Sequence, residues 1–130
     1  MRLNHLNLPV DDLTAAIDIF RRCFDFRLLE QKGAAVAVLS DGHGFVLVLS
    51  SAPAFGAVTP TRYPEGFHVG FVLDGPDQVD LLRTRLAASG IAVGPEPRRV
   101  HGAYAFYFTA LEGLLFEVSC SLGPGAEGAS

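Results

Sequence analysis

The sequence predicts an α+β fold in which a βαβββ unit occurs twice along a chain of 130 residues. Each half shows the same order of hydrophobic patterns: one strand, one helix and three strands. A proline-rich stretch separates the halves, and strands of one half can be superimposed on strands of the other. We therefore expect two tandem modules with the same architecture.

The first half opens with an alternating strand at residues 2–8. Pro9 is expected to end this strand, because proline has no backbone N–H to donate. Asp11 or Asp12 then caps a helix whose apolar residues recur at the helical spacing. Three short strands follow, near residues 26–31, 35–40 and 45–50.

The second half repeats this order. A strand at residues 67–73 precedes a helix that begins at Gly75-Pro76-Asp77 and ends near Gly90. Three more strands are predicted, near residues 91–99, 103–109 and 114–120. The segment Gly33–Ser40 superimposes without a gap on Gly102–Thr109, and the first strands of the halves match once a single gap is allowed.

These patterns define the domain organisation. We expect one domain over residues 1–120, with a tail at residues 121–130 that is rich in glycine and alanine and is predicted to be disordered. Within the domain, the predicted parts are module one at residues 1–51, a linker at residues 52–65 and module two at residues 66–120.

Composition limits the classes of function. A formal net charge of -4, with scattered basic residues, argues against nucleic acid as a partner. The longest apolar run is too short to span a bilayer, and no apolar signal segment follows Met1. Two cysteines do not form a disulfide framework and are typical of small buried residues in a reducing compartment. We expect a soluble cytoplasmic protein that acts on a small molecule.

Three strands each carry one ligand-type residue on the side opposite the apolar stripe: His5, His68 and Glu117. A carboxylate within Leu-Leu-Phe-Glu-Val is costly to bury without a partner. Taken singly, either histidine is more often a hydrogen-bonded structural residue, and Glu117 alone could pair with an arginine. Taken together, at equivalent places of a repeated unit, they predict a site for a divalent metal such as Fe, Mn, Ni or Zn.

Other polar residues carry weaker signals. His43 and His101 each lie in a glycine-containing turn, where an exposed loop residue is the simpler interpretation. Arg98 or Arg99 would suit an anionic substrate. No glycine-rich phosphate loop, Ser-His-Asp arrangement or Cys-x-x-Cys motif occurs in the sequence.

With these features the sequence resembles the vicinal oxygen chelate superfamily, which includes glyoxalase I, extradiol dioxygenases, fosfomycin-resistance thiol transferases and bleomycin-resistance proteins. The resemblance covers nearly the whole chain, from Leu3 to Cys120. The segments that carry it are Leu3–Leu8, Asp11–Leu13, Gly66–Phe71, Phe106–Phe108 and Gly113–Val118.

The resemblance implies a cup-shaped mixed sheet with helices on its outer face, and a homodimer whose metal site is shared between subunits. It implies His5, His68 and Glu117 as metal ligands, and Asn7, Tyr107 and Ser119 as residues that contact a small-molecule substrate. It does not specify which residues are catalytic. Charge and the length of the apolar runs predict no nucleic-acid or membrane partner.

The sequence departs from the glyoxalase I pattern at one ligand. Superposition places Val48 opposite Glu117, so the fourth ligand is missing, and the remaining set is closest to the fosfomycin-resistance enzymes. However, the stretch from Arg98 to Ala105 is poor in hydroxyl groups, and no basic residue follows Glu117. The resemblance implies a metal-dependent lyase, thiol transferase or dioxygenase. The alternatives are a metal-free ligand-sequestering protein of the bleomycin-resistance type and a protein with a vestigial site.

Overall fold

The computed structural model describes residues 1–123, and the chain forms two compact units, Met1–Arg62 and a second that starts at Tyr63. Each unit contains a four-stranded mixed sheet and one long helix that packs against it. The α+β class and the two tandem βαβββ modules are therefore confirmed. Within residues 1–123, no helix has the length and apolar character needed to cross a membrane.

The first unit has the strand order β1-β4-β3-β2, in which β1 is parallel to β4 and the other neighbours are antiparallel. A short 3-10 helix at Pro53–Phe55 follows the last strand. The elements of this unit are β1 (His5–Val10), α1 (Leu13–Phe24), β2 (Arg27–Lys32), β3 (Val36–Ser40) and β4 (Val46–Ser51).

The expectation that Pro9 ends the first strand is wrong, because β1 continues to Val10. In the sheet formed by the described residues, β1 is an edge strand that pairs with β4. The carbonyls of Asn4 and Val10 accept hydrogen bonds from the β4 side, at 2.9 and 2.8 Å. Residues of the other parity, including Pro9, therefore turn their backbone away from β4, where a missing N–H costs no ladder hydrogen bond.

The two aspartates after β1 have separate roles. Asp12 is the helix cap, because its Oδ1 accepts the backbone N–H of Ala15 at 3.0 Å. The Asp11 carboxylate instead accepts the backbone N–H of Thr61 at 2.7 Å and the Thr61 hydroxyl at 2.6 Å. The sequence left the cap open between these residues, and the fold assigns it to Asp12.

The second unit has the strand order β5-β8-β7-β6, which reproduces the order of the first unit. Of the strand expected at residues 91–99, only Arg98–Val100 is formed. Gly94 has a φ of +64°, and the prolines at 95 and 97 cannot donate to a ladder. The elements of this unit are β5 (His68–Leu73), α2 (Pro76–Ala88), β6 (Arg98–Val100), β7 (Ala103–Ala110) and β8 (Leu114–Ser121).

The end of the chain is described as far as Gly123. β8 extends to Ser121, and the backbone N–H of Leu122 donates to the carbonyl of Gly102 at 2.9 Å. The rest of the tail that was predicted to be disordered, residues 124–130, lies outside the described residues.

The strand registers of the two units are equivalent. Val38 of β3 pairs with Val48 of β4, and Tyr107 of β7 pairs with Glu117 of β8. The two pairs are equivalent, because the offset in the sequence superposition converts the first pair into the second. The first strands correspond as well, because β1 and β5 each run parallel to the last strand of their own unit. The gapless superposition of the sequence halves is therefore confirmed by hydrogen-bonded register.

Each sheet has a helix face and an opposite face, which we call the open face. In the second unit, Phe116 is fully buried on the helix face and stacks on Phe108, with ring centroids 4.9 Å apart. In the first unit, Leu39 and Leu49 are fully buried in the same way. Because side chains alternate along a strand, this packing fixes which residues reach the open face.

Candidate metal centre

His68 and Glu117 lie on the open face of the second sheet. His68 begins β5, and Glu117 lies in the middle of β8, paired with Gly70 of β5. The His68 Nε2 and Glu117 Oε2 atoms are 4.0 Å apart, and the two side chains are 42% and 28% exposed. Two atoms bound to one ion by bonds of about 2.0–2.2 Å lie at most about 4.4 Å apart, so this separation is near the upper limit for a shared ion.

The imidazole of His68 has its Nδ1 atom 2.8 Å from the carbonyl oxygen of Gly66. A carbonyl oxygen only accepts, so Nδ1 carries the hydrogen and, in the neutral ring, Nε2 carries the lone pair. His5, at the start of β1, repeats this arrangement, with its Nδ1 2.8 Å from the Asn4 Oδ1 atom. Metal-bound histidines usually donate their other N–H to an oxygen in this way.

Glu117 is held by Tyr107, its neighbour across the ladder. The Tyr107 hydroxyl donates a hydrogen bond to the Glu117 Oε1 atom. This hydrogen bond raises the pKa of Tyr107, burial and the Glu117 charge add to the effect, and Arg98 opposes it. Tyr107 thus remains a donor that fixes one carboxylate oxygen, while Oε2 points toward His68.

Gly70 lies directly beside the carboxylate. A Cβ atom at this position would lie 3.6 Å from the Glu117 Oε2 atom, which is an ordinary van der Waals contact. In the first unit the equivalent ladder pair is Asn7 with Val48. Val48 has no ligand atom, which agrees with the missing fourth ligand of the sequence superposition.

Two of the expected substrate-contacting residues also have defined surroundings. The Oδ1 atom of Asn7 accepts a hydrogen bond from the Ser50 hydroxyl at 2.7 Å, which leaves the Asn7 amide N–H groups to donate elsewhere. Ser119 is half-buried on the open face of β8, between Val72 of β5 and Ala105 of β7. Tyr107, the third such residue, is 39% exposed.

The structure brings His68 and Glu117 together, and His5 belongs to the first unit. Within residues 1–123, no group of three or more His, Cys, Asp or Glu side chains forms a metal-holding cluster. The three-ligand set therefore stays a prediction, and its third member has to be tested by experiment.

The donor set itself suits a divalent metal ion. It offers imidazole Nε2 atoms with the correct tautomer and a carboxylate that is oriented by a tyrosine. Sequence reasoning missed the groups that fix the imidazoles, Asn4 and the Gly66 carbonyl. Their positions in the sequence could have indicated these contacts, because Asn4 directly precedes His5 and Gly66 lies two residues before His68.

Two βαβββ units, one of which carries an imidazole and a carboxylate on its open face, define a protein of the glyoxalase type. The family model described as Glyoxalase/Bleomycin resistance protein/Dioxygenase superfamily matches residues 2–118. The chain belongs to this superfamily. No protein among the curated sequences matches the chain.

Solved structures agree with this assignment. A possible glyoxalase from Bacillus cereus is 38% identical, with a TM-score of 0.79, over 92% of this chain and 99% of that chain. A lactoylglutathione lyase from Agrobacterium tumefaciens is 22% identical, with a TM-score of 0.72, over 92% of both chains. The fosfomycin resistance protein FosX from Listeria monocytogenes is 20% identical, with a TM-score of 0.75, over 93% of both chains. The last two show similarity of fold alone.

Proposed function

We propose that this protein is a metal-dependent enzyme that acts on a small oxygen-chelating molecule. His5, His68 and Glu117 would hold a divalent ion: Fe, Mn, Ni or Zn. The observation that carries the proposal is a hydrogen bond at each imidazole, whose Nδ1 atom lies 2.8 Å from an oxygen acceptor. The Nε2 atom of each ring is then the ligand atom.

The bound ion would act as a Lewis acid on an oxygen atom of the substrate. The residues around it have separate tasks. Tyr107 would hold the Glu117 carboxylate through its hydrogen bond, and the Asn7 amide and the Ser119 hydroxyl would bind substrate. Because Val48 replaces the fourth ligand, no second carboxylate is available there as a base. This favours lyase, thiol transferase or dioxygenase chemistry over a proton-shuttling glyoxalase reaction.

The proposal includes a homodimer in which His5 joins His68 and Glu117 of the partner subunit. One feature of the structure supports this arrangement. His68 and Glu117 come from one unit of the chain, whereas His5 comes from the other. A twofold dimer would then form two equivalent sites, each built from both subunits.

Metal analysis of the purified protein tests the ligand assignment. We expect a metal content near one ion per chain in the wild type and a loss of at least about tenfold in affinity in each of His5→Ala, His68→Ala and Glu117→Gln. His43→Ala is the matched control, because His43 lies exposed in a turn of the first unit. The assignment is wrong if the triple variant retains the metal content of the wild type while remaining folded.

The alternative is a metal-free protein that sequesters a ligand, as bleomycin-resistance proteins do. Exposed apolar and aromatic side chains on the open face of the second sheet favour it, because Val72 is 77% exposed and Tyr107 is 39% exposed. Metal analysis distinguishes the two functions. A wild-type protein that binds an aromatic ligand but takes up none of the four metals would support sequestration.

A further inference from the structure

The adjacent arginines Arg98 and Arg99 lie on opposite faces of the second sheet. Arg98 pairs with Ala105 across β6 and β7, which places both side chains on the open face. Arg99 pairs with Tyr104, whose hydroxyl donates to Asp80 of α2 at 2.8 Å, so this pair lies on the helix face. Both arginines are exposed, and only Arg98 shares a face with the proposed metal ligands.

Arg98, Ala105 and Ser119 form one row across three neighbouring strands. Ala105 pairs with Arg98 on one side and with Ser119 on the other. Because strands are about 4.8 Å apart, the backbones of Arg98 and Ser119 are about 10 Å apart, with the small and buried Ala105 between them. A guanidinium and a hydroxyl are both donors, and this combination suits an oxyanion.

The charge of Arg98 is the second feature of this row. Within the part of the chain that the structure describes, no carboxylate forms an ion pair with Arg98. Its positive charge therefore remains available to a ligand on the open face.

We propose that Arg98, together with Ser119, binds an oxyanion of the substrate. The inference rests on the proposed function, in which another oxygen of the same substrate binds the metal at His68 and Glu117. The strand spacing and the rise per residue place the backbones of Arg98 and Glu117 about 12 Å apart. An arginine side chain together with a small substrate can span this distance. The substrate class is thus a small molecule with a carboxylate or phosphate group in addition to its metal-binding oxygen.

Titration of inorganic phosphate into the metal-free, full-length protein tests this site apart from the metal. Backbone amide shifts of Ser119 in NMR spectra report the binding. We expect a saturable shift in the wild type, binding at least about tenfold weaker in Arg98→Gln, and binding within about twofold of wild type in Arg99→Gln. The two variants remove the same charge at adjacent positions, and they differ in the face of the sheet that is affected.

The inference is overturned if both variants weaken binding equally, if neither does, or if phosphate leaves the Ser119 amide unshifted. Arg98→Gln should load as much metal as the wild type, and a loss of metal would indicate a structural role instead. A wild-type protein that shows the expected phosphate binding but holds no metal would contradict the proposed function and leave the oxyanion site standing.

Discussion

His5 and His68 show how neighbouring oxygens prepare a side chain for ligation. In each, an acceptor 2.8 Å from Nδ1 selects the tautomer whose Nε2 atom binds metals. Tyr107 has a comparable effect on Glu117, whose Oε1 atom it occupies. The sequence predicted the three candidate ligands from strand alternation, and it did not predict these partners, which depend on rotamers and loop conformation.

A second feature at the residue scale is the turn between β6 and β7. Val100 pairs with Ala103, so His101 and Gly102 form a two-residue hairpin loop. Their φ angles are 49° and 77°, as a type I′ turn requires. The left-handed conformation disfavours histidine, and asparagine followed by glycine is the preferred pair for this turn.

We therefore expect His101→Asn to raise the free energy of unfolding by about 0.5–1 kcal/mol. Urea denaturation measures the change. His43→Asn is the control, because His43 is also exposed in a turn and has no positive φ. Equal effects of the two substitutions would contradict the explanation by backbone strain. The structure also confirms His101 as an exposed turn residue.

At the scale of elements, α2 is joined to β7 by a hydrogen bond from the Tyr104 hydroxyl to the Asp80 carboxylate, at 2.8 Å. This hydrogen bond is the main cause that raises the pKa of Tyr104 above its usual value of 10.0, and burial adds to it. The folded chain therefore retains the tyrosine proton more firmly than the unfolded chain does.

This contact predicts a pH dependence. Because the folded-state pKa is the higher one, the stabilisation is fully present below pH 10 and declines as the pH rises toward the pKa of the folded state. We expect Tyr104→Phe to cost about 1 kcal/mol at pH 7, and less at pH 11. Urea denaturation of Tyr104→Phe, Asp80→Asn and the double variant gives the coupling energy. A coupling energy that is unchanged between these pH values would contradict the prediction.

At the scale of the whole molecule, the proposed function depends on assembly. His5→Ala and Glu117→Gln each remove a ligand from every site of a homodimer. If the sites are shared between subunits, a mixed dimer of these variants regains one intact site, which combines His5 of one chain with His68 and Glu117 of the other. Random mixing produces heterodimers as about half of the dimers, so about a quarter of the metal binding should return.

Metal analysis after unfolding and refolding the mixed variants measures this recovery. A mixture of His68→Ala and Glu117→Gln is the matched control, because His68 and Glu117 belong to the same unit and no mixed dimer restores both in one site. Recovery in neither mixture, with each variant folded, would show that all three ligands come from one chain or that His5 is not a ligand.

The sequence by itself determined the repeated βαβββ order, most element positions and the strand faces of His5, His68 and Glu117, because periodicity and alternation are local properties. It did not determine that β1 continues through Pro9, that Asp12 rather than Asp11 caps α1, or that residues 91–97 form no strand. The tertiary structure decided the first two, because β1 pairs with β4 and the Asp11 carboxylate accepts hydrogen bonds from the distant Thr61. The conformation of Gly94 and the two prolines that follow exclude a strand at residues 91–97. The tertiary structure also separated Arg98 from Arg99, because the register of β6 and β7 pairs them with residues on opposite faces of the sheet, and local patterns do not define register.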